Sequence, residues 1–255
     1  MNTKPTNITD REFRERYARQ ISLPQFGIEA QQRLSEVSAL VVGIGGLGAI
    51  AAGYLAAAGI GKLGLVDHDT VALTNLHRQI LYTTEDAISG LTKTQAARRT
   101  LRQVNPHCKV VIHTQELMDE NAAQLMTHYD IVLDGTDSHK AKYAINRACV
   151  ASKKPLVYGG VFRLEGQISV LNMTRGPCLE CIYPENSSAS GSCSSEGVLG
   201  TVPGIIGIMQ AQEIIKWATG VGQLLNGRMF FYDALQASSH TFAVAQNPHC
   251  PVCAD

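Results

Sequence analysis

The chain has 255 residues, room for one large α/β domain or two small ones. Its 45% apolar content is ordinary for a globular core. The 22 basic residues balance 22 acidic ones, which argues against a general nucleic-acid or membrane-surface binder, and no apolar run reaches the ~20 residues that span a bilayer.

The first ten residues are polar and lack the apolar core of a signal peptide, so a cytoplasmic, reducing location is expected. Mixed charge over residues 10–20 predicts a short helix opened by Asp10 as N-cap, and Gly27–Glu36 a second one. Residues 39–42 read as strand one and residues 47–58 as an Ala-rich helix stopped by Gly59. Strand two is expected over 63–66, a helix over 92–104 ended by Asn105-Pro106, and strand three over Lys109–His113. A helix over 122–128, strand four over 131–133 and a Ser138-capped helix over 138–152 follow, then strand five over 156–158. This alternation predicts an α/β, Rossmann-like, mostly parallel sheet with helices on both faces.

The pattern then changes. Residues 166–172, 228–232 and 240–245 alternate like antiparallel strands. Residues 184–197 are rich in Ser, Gly and Asn and read as a loop crossing the active face. Residues 204–219 are apolar on most faces, as in a core helix or a subunit contact. One domain is expected, with a helical arm (1–36), an α/β core (37–160) and a C-terminal part (161–255).

Val41-Val-Gly43-Ile-Gly45-Gly46-Leu-Gly48 is a strand, a glycine turn and a helix N-terminus, a unit that holds phosphate on backbone N–H groups. Asp67 follows about 20 residues later, where a carboxylate accepts a ribose hydroxyl. This much fits a nicotinamide or flavin enzyme as well as an ATP enzyme. Asn75, Arg78 and Gln79 shift the balance, because a departing pyrophosphate needs a guanidinium and a dinucleotide does not. The loop lacks a Gly-Lys-Ser/Thr ending, so a lysine must come from elsewhere, and Lys93 is the candidate. Asp134-Gly-Thr-Asp137 closes strand four at its carboxyl end, with Asp134 to cap or orient and Asp137 as a site residue.

Seven cysteines in a chain without a signal peptide argue against a disulfide framework. Cys178, Cys181, Cys250 and Cys253 form two Cys-x-x-Cys pairs, the spacing of a closed four-thiolate zinc site. Cys108 and Cys149 sit singly beside apolar segments, while Cys193 lies in the polar loop as an exposed thiol. His77, His107, His113 and His128 have no partner spacing and receive no role.

The glycine loop, Asp67-His-Asp69, Asn75-Leu-His-Arg-Gln79, Asp134-Gly-Thr-Asp137, the cysteine pairs and an upstream Arg16-Tyr-Ala-Arg19-Gln20 together resemble the MoeB/ThiF/HesA family. These are bacterial relatives of ubiquitin-activating E1 enzymes, and the resemblance runs from about Arg16 to Cys253. It implies an ATP-dependent adenylyltransferase acting on the C-terminal Gly-Gly of a small ubiquitin-like sulfur carrier, of MoaD or ThiS type. It also implies Mg²⁺ at Asp137, and Arg19 reaching the ATP of a neighbouring subunit in a homodimer. Lys93 falls in the family's Gly-x-x-Lys element, where Thr92 replaces the usual Pro, and Cys193 falls where some members bond to the carrier or its thiocarboxylate. Glu165-Gly-Gln167 resembles MoeB and Thr83-Thr-Glu-Asp86 resembles ThiF, so the molybdopterin and thiamine pathways both stay open. No rhodanese-like segment follows Asp255, so a separate sulfur donor is expected, of cysteine desulfurase or rhodanese type. The rival readings are an NAD-dependent oxidoreductase and a non-catalytic nucleotide-binding scaffold.

Overall fold

The computed structural model describes residues 9–174, 176–185 and 197–254. Among them one eight-stranded sheet runs in the order β3-β2-β1-β4-β5-β6-β7-β8. β1 (Ser38–Val42), β2 (Lys62–Val66), β3 (Lys109–His113), β4 (Ile131–Asp134) and β5 (Leu156–Phe162) pair in parallel. β6 (Glu165–Leu171), β7 (Arg228–Asp233) and β8 (Ser238–Ala243) extend the sheet antiparallel. The chain winds outward from β1 to β3 and then returns to the other side of β1 with β4. The crevice between the carboxyl ends of β1 and β4 is the reversal point at which open α/β sheets place ligands.

The helices are α1 (Asp10–Arg16), α2 (Ala18–Ile21), α3 (Gly27–Glu36), α4 (Gly48–Ala58) and α5 (Thr84–Ile88). They continue with α6 (Lys93–Val104), α7 (Asp119–Met126), α8 (His139–Ala151), α9 (Leu179–Ile182) and α10 (Thr201–Thr219). Strand alternation sorts side chains into two cores. Ala39, Val41, Leu63, Leu65, Ile131 and Leu133 join α4, α6 and α10 on one face. Leu40, Val42, Val66 and Val132 join α7 and α8 on the other. Both faces are buried, which is why β1 and β4 read as continuous apolar runs.

α10 packs over α4, β5 and β6 and lies in the core. Close approach requires Gly207, whose Cβ would stand 2.5 Å from the Leu47 carbonyl oxygen. The helix opens at Thr201, ahead of the expected residue 204, because Pro203 is tolerated in a first turn whose N–H groups have no intrahelical partner.

Residues 10–20 form two helices, since Tyr17 leaves helical geometry (φ −104°, ψ 14°). Its ring is buried and its hydroxyl accepts from Asn105 Nδ2 at 2.8 Å, a tertiary contact that overrides helix continuation. Thr9, not Asp10, caps α1: its Oγ1 accepts from Glu12 N at 3.2 Å. The last strand occupies Ser238–Ala243 rather than 240–245, set by its pairing of Ser238 with Asp233. α5 was not expected. Its signature is a Thr83/Asp86 capping box, in which Asp86 Oδ2 accepts from Thr83 N at 2.9 Å.

Candidate nucleotide site and metal centre

A cavity of about 590 Å³ opens at the carboxyl ends of β1, β2, β4 and β5. Its floor is glycine backbone. Gly43 has φ +80°, and a Cβ on Gly48 would sit 1.9 Å from the Gly43 carbonyl oxygen. A Cβ on Gly135 would sit 2.5 Å from that same oxygen, so the loops after β1 and β4 cross in backbone contact. Gly45 and Gly46 line the cavity beside the start of α4. The anion-binding donors of a helix N-terminus therefore face an open space.

Asp67, at the end of β2, is 8% exposed, and its two carboxylate oxygens accept from Ile44 N at 2.7 Å and Asp69 N at 2.9 Å. Lys93 enters from the start of α6. Thr92 caps that helix by accepting from Gln95 N at 3.3 Å, so a threonine serves where proline is usual. Lys93 N donates to the Asp69 carbonyl at 2.9 Å, and its ammonium donates to Asp69 Oδ2 at 2.6 Å. Burial raises the Asp69 carboxyl, but the Lys93 ammonium outweighs it and holds the group below the usual carboxylate range.

Arg78 follows the turn Leu73–Asn75. Its Nη2 donates to Asn75 Oδ1 at 2.8 Å, and its Nη1 lies 2.7 Å from His77 Nε2. A guanidinium only donates, so His77 Nε2 is the acceptor in this pair. Gln79 is buried against the glycine loop, and its Oε1 has no partner among the described residues. An unpaired buried amide oxygen is costly unless a ligand or water satisfies it, so the spot fits a bound group.

The two aspartates after β4 divide their work. Asp134 is fully buried and accepts from Thr136 N at 2.9 Å, Thr136 Oγ1 at 2.7 Å and Lys142 Nζ at 2.8 Å. It orients the loop and has little left for a ligand. Asp137 is exposed on the cavity wall. Its hard oxygen donors suit a cation such as Mg²⁺.

The four paired cysteines converge although 72 residues separate the pairs: Cys178 and Cys250 sulfurs lie 3.5 Å apart, Cys181 and Cys253 3.4 Å, and Cys178 and Cys181 3.8 Å. All four sulfurs fall within 4.8 Å of one another. A disulfide needs ~2.05 Å, whereas a tetrahedron with Zn–S of about 2.3 Å has edges of about 3.8 Å. The donor set fits a closed zinc site that ties the chain end to the segment after β6. Cys108 and Cys149 are buried elsewhere, and burial pushes the Cys108 thiol up to about 12.

The ThiF family matches residues 17–252. The chain belongs to the ThiF family. It is 42% identical over 248 residues to a sulfur carrier protein adenylyltransferase of Thermus thermophilus, covering 94% of this chain and 91% of that one. It is 43% identical over 241 residues to the adenylyltransferase and sulfurtransferase MOCS3 of Drosophila yakuba, covering 93% and 53%. The chain thus spans about half the length of the MOCS3 relatives it matches. Among solved structures, E. coli MccB with MccA-N7isoASN superposes with a TM-score of 0.84 at 21% identity, covering 94% of this chain and 75% of that one. E. coli MccB with ATP gives 0.78 at 20% identity, covering 97% and 82%. At such identity the likeness is one of fold.

In this ThiF-family chain the cavity gathers Gly43, Gly45, Gly46, Asp67, Asn75, Arg78, Gln79, Lys93 and Asp137. Arg19 is exposed and is not among the cavity-lining residues. Its motif neighbours tie the arm down: Arg16 Nη1 donates to the Val104 carbonyl at 3.3 Å, and Gln20 Nε2 to Gln31 Oε1 at 2.7 Å. Cys193 lies outside the described residues. Sequence reasoning missed Lys142 and Arg163. Lys142 Nζ also donates to the Gly159 carbonyl at 2.7 Å, a contact no local motif encodes. Arg163 lines the cavity from the two-residue turn between β5 and β6, with φ +54°. Glycine is the usual occupant of such a turn position. No helix among the described residues is long and apolar enough to cross a membrane.

Proposed function

We propose that this ThiF-family chain is an ATP-dependent adenylyltransferase that activates the C-terminal glycine of a small ubiquitin-like sulfur carrier, of MoaD or ThiS type. The observation that carries the reading is the convergence of Arg78, Lys93 and the unpaired Gln79 oxygen on a glycine loop already fitted with Asp67. The Thermus relative, matched over nearly its full length, supports the substrate class.

A carrier carboxylate oxygen attacks the α-phosphorus, the bond to the bridging α–β oxygen breaks, and pyrophosphate leaves with that electron pair. The carboxylate is already deprotonated, so no general base is needed. Catalysis is positioning plus charge neutralisation. The glycine loop cradles phosphate, Asp67 holds the ribose, Asn75 and Gln79 orient, and Arg78 and Lys93 draw off developing negative charge. Asp137 would hold Mg²⁺, which would supply further phosphate neutralisation when bound. Arg19 acts across a homodimer, and Cys193 serves sulfur transfer after adenylation. The cysteine set holds structural Zn²⁺. A separate sulfur donor of cysteine desulfurase or rhodanese type completes the product, in the cytoplasm.

ATP–pyrophosphate exchange with purified MoaD-type and ThiS-type carriers in turn tests the proposal. Carrier-dependent exchange with at least one is expected. NAD binding without ATP binding would overturn it.

A further inference from the structure

We propose that Asn146 is a hydrogen-bond donor to the Cys178 thiolate and thereby sets the metal affinity of the four-cysteine centre. The proposal rests on reading that centre as a zinc site.

Four thiolates around Zn²⁺ leave a net charge of −2 in a partly buried place. Such charge is stabilised by N–H donors aimed at sulfur, as the partners of metal ligands generally are. Asn146 lies on α8 and is fully buried. Its Oδ1 accepts from Leu179 N at 2.9 Å, which fixes the amide's orientation. Nδ2 must then face away from that N–H, and it is buried without a partner among the described residues. Leu179 is the neighbour of Cys178, whose sulfur is itself fully buried. A protonated thiol is a weak acceptor and a thiolate a strong one. The orphaned donor is therefore matched to the metal-loaded state, where its satisfaction is worth most.

The test separates the two ends of one amide. Asn146→Asp keeps the oxygen that Leu179 N needs and replaces the donor by a carboxylate. Zinc affinity by chelator competition should fall about 10–100-fold in that variant. The buried carboxylate also repels the thiolates, so the affinity loss counts for the donor role only together with the coupling below, and a change under twofold overturns the proposal. A second measurement needs no variant. In ¹¹³Cd-substituted wild-type protein, one asparagine side-chain amide proton should show scalar coupling to cadmium, and absence of that coupling also overturns the proposal. Wild-type protein that takes neither zinc nor cadmium overturns the zinc reading itself, and this proposal with it. Metal bound without coupling or affinity loss overturns the donor role alone.

Discussion

The Lys93 ammonium stands 2.6 Å from Asp69 Oδ2 while only 5% exposed, so a charged pair spans two elements at the cavity wall. Lys93 is also 3.9 Å from Asp67 Oδ2. Removing it leaves two carboxylates near the expected path of a triphosphate. Asp69 is about half exposed, so solvent screens part of the pair's own energy and the larger loss is of charge neutralisation in the cavity. Lys93→Ala should lower pyrophosphate exchange at least 100-fold, and retention of more than a tenth of wild-type turnover contradicts the role.

Arg78→Ala should remove adenylate formation and leave the fold intact. Its guanidinium rests on Asn75 and His77, both local, so no distant element depends on it. Loss of one preorganised charge-stabilising donor costs about 3–4 kcal/mol. Turnover reduced less than about tenfold, equal to 1.4 kcal/mol, contradicts the role. Circular dichroism checks the fold.

Arg19 and Asp137 should complement each other across a dimer. Each single variant, Arg19→Ala or Asp137→Ala, should be inactive. In a mixed dimer one shared site carries both lesions and the other carries neither. Partial return of exchange activity on mixing is expected. A mixture that stays inactive shows that each chain is self-sufficient.

Metal analysis should find one zinc per chain in protein purified without chelator. Structural zinc is coupled to folding, so Cys250→Ser should lower the melting temperature more than Cys108→Ser does. Chelator should lower the wild-type melting temperature and leave Cys250→Ser nearly unmoved.

Asp86 should make stability depend on acid. Hydrogen bonds from Arg99, then from Thr83, outweigh burial and hold its carboxyl at about 2. An unfolded aspartate titrates near 3.9. The folded value is the lower one, so this stabilisation is full above about pH 4 and is lost as pH falls towards 2. Arg99 is about half exposed, which reduces the contribution to about 1–2 kcal/mol. Denaturant melts of Asp86→Asn should show that deficit at pH 7 and close on wild type by pH 2. A constant gap across that range contradicts the assignment.

The parts legible in the sequence are those whose chemistry is local. Gly43–Gly48, Asp67 and the cysteine pairs announce themselves because a turn, a strand end or a metal ligand pair fits within a few residues. The central strands β1 and β4 read as continuous apolar runs because both of their faces are buried. Tyr17 broke its helix for a contact with Asn105, 88 positions away, which periodicity does not register. Lys142 and Asn146 went unread for the same reason. Each looks like an ordinary polar residue of α8 until Gly159 and Leu179 arrive beside it.

Lys142 and Asn146 are four positions apart on α8, hence on one face of it. One reaches the cavity wall and the other the cysteine centre. α8 acts as a rigid strut with a foot in each. Sliding it by a single residue, about 1.5 Å, shifts both feet together. The cavity wall at Lys142 and the four-cysteine cluster therefore cannot be retuned separately. An engineered change at the cavity that repositions Lys142 inherits the geometric tolerance of the four-sulfur cluster.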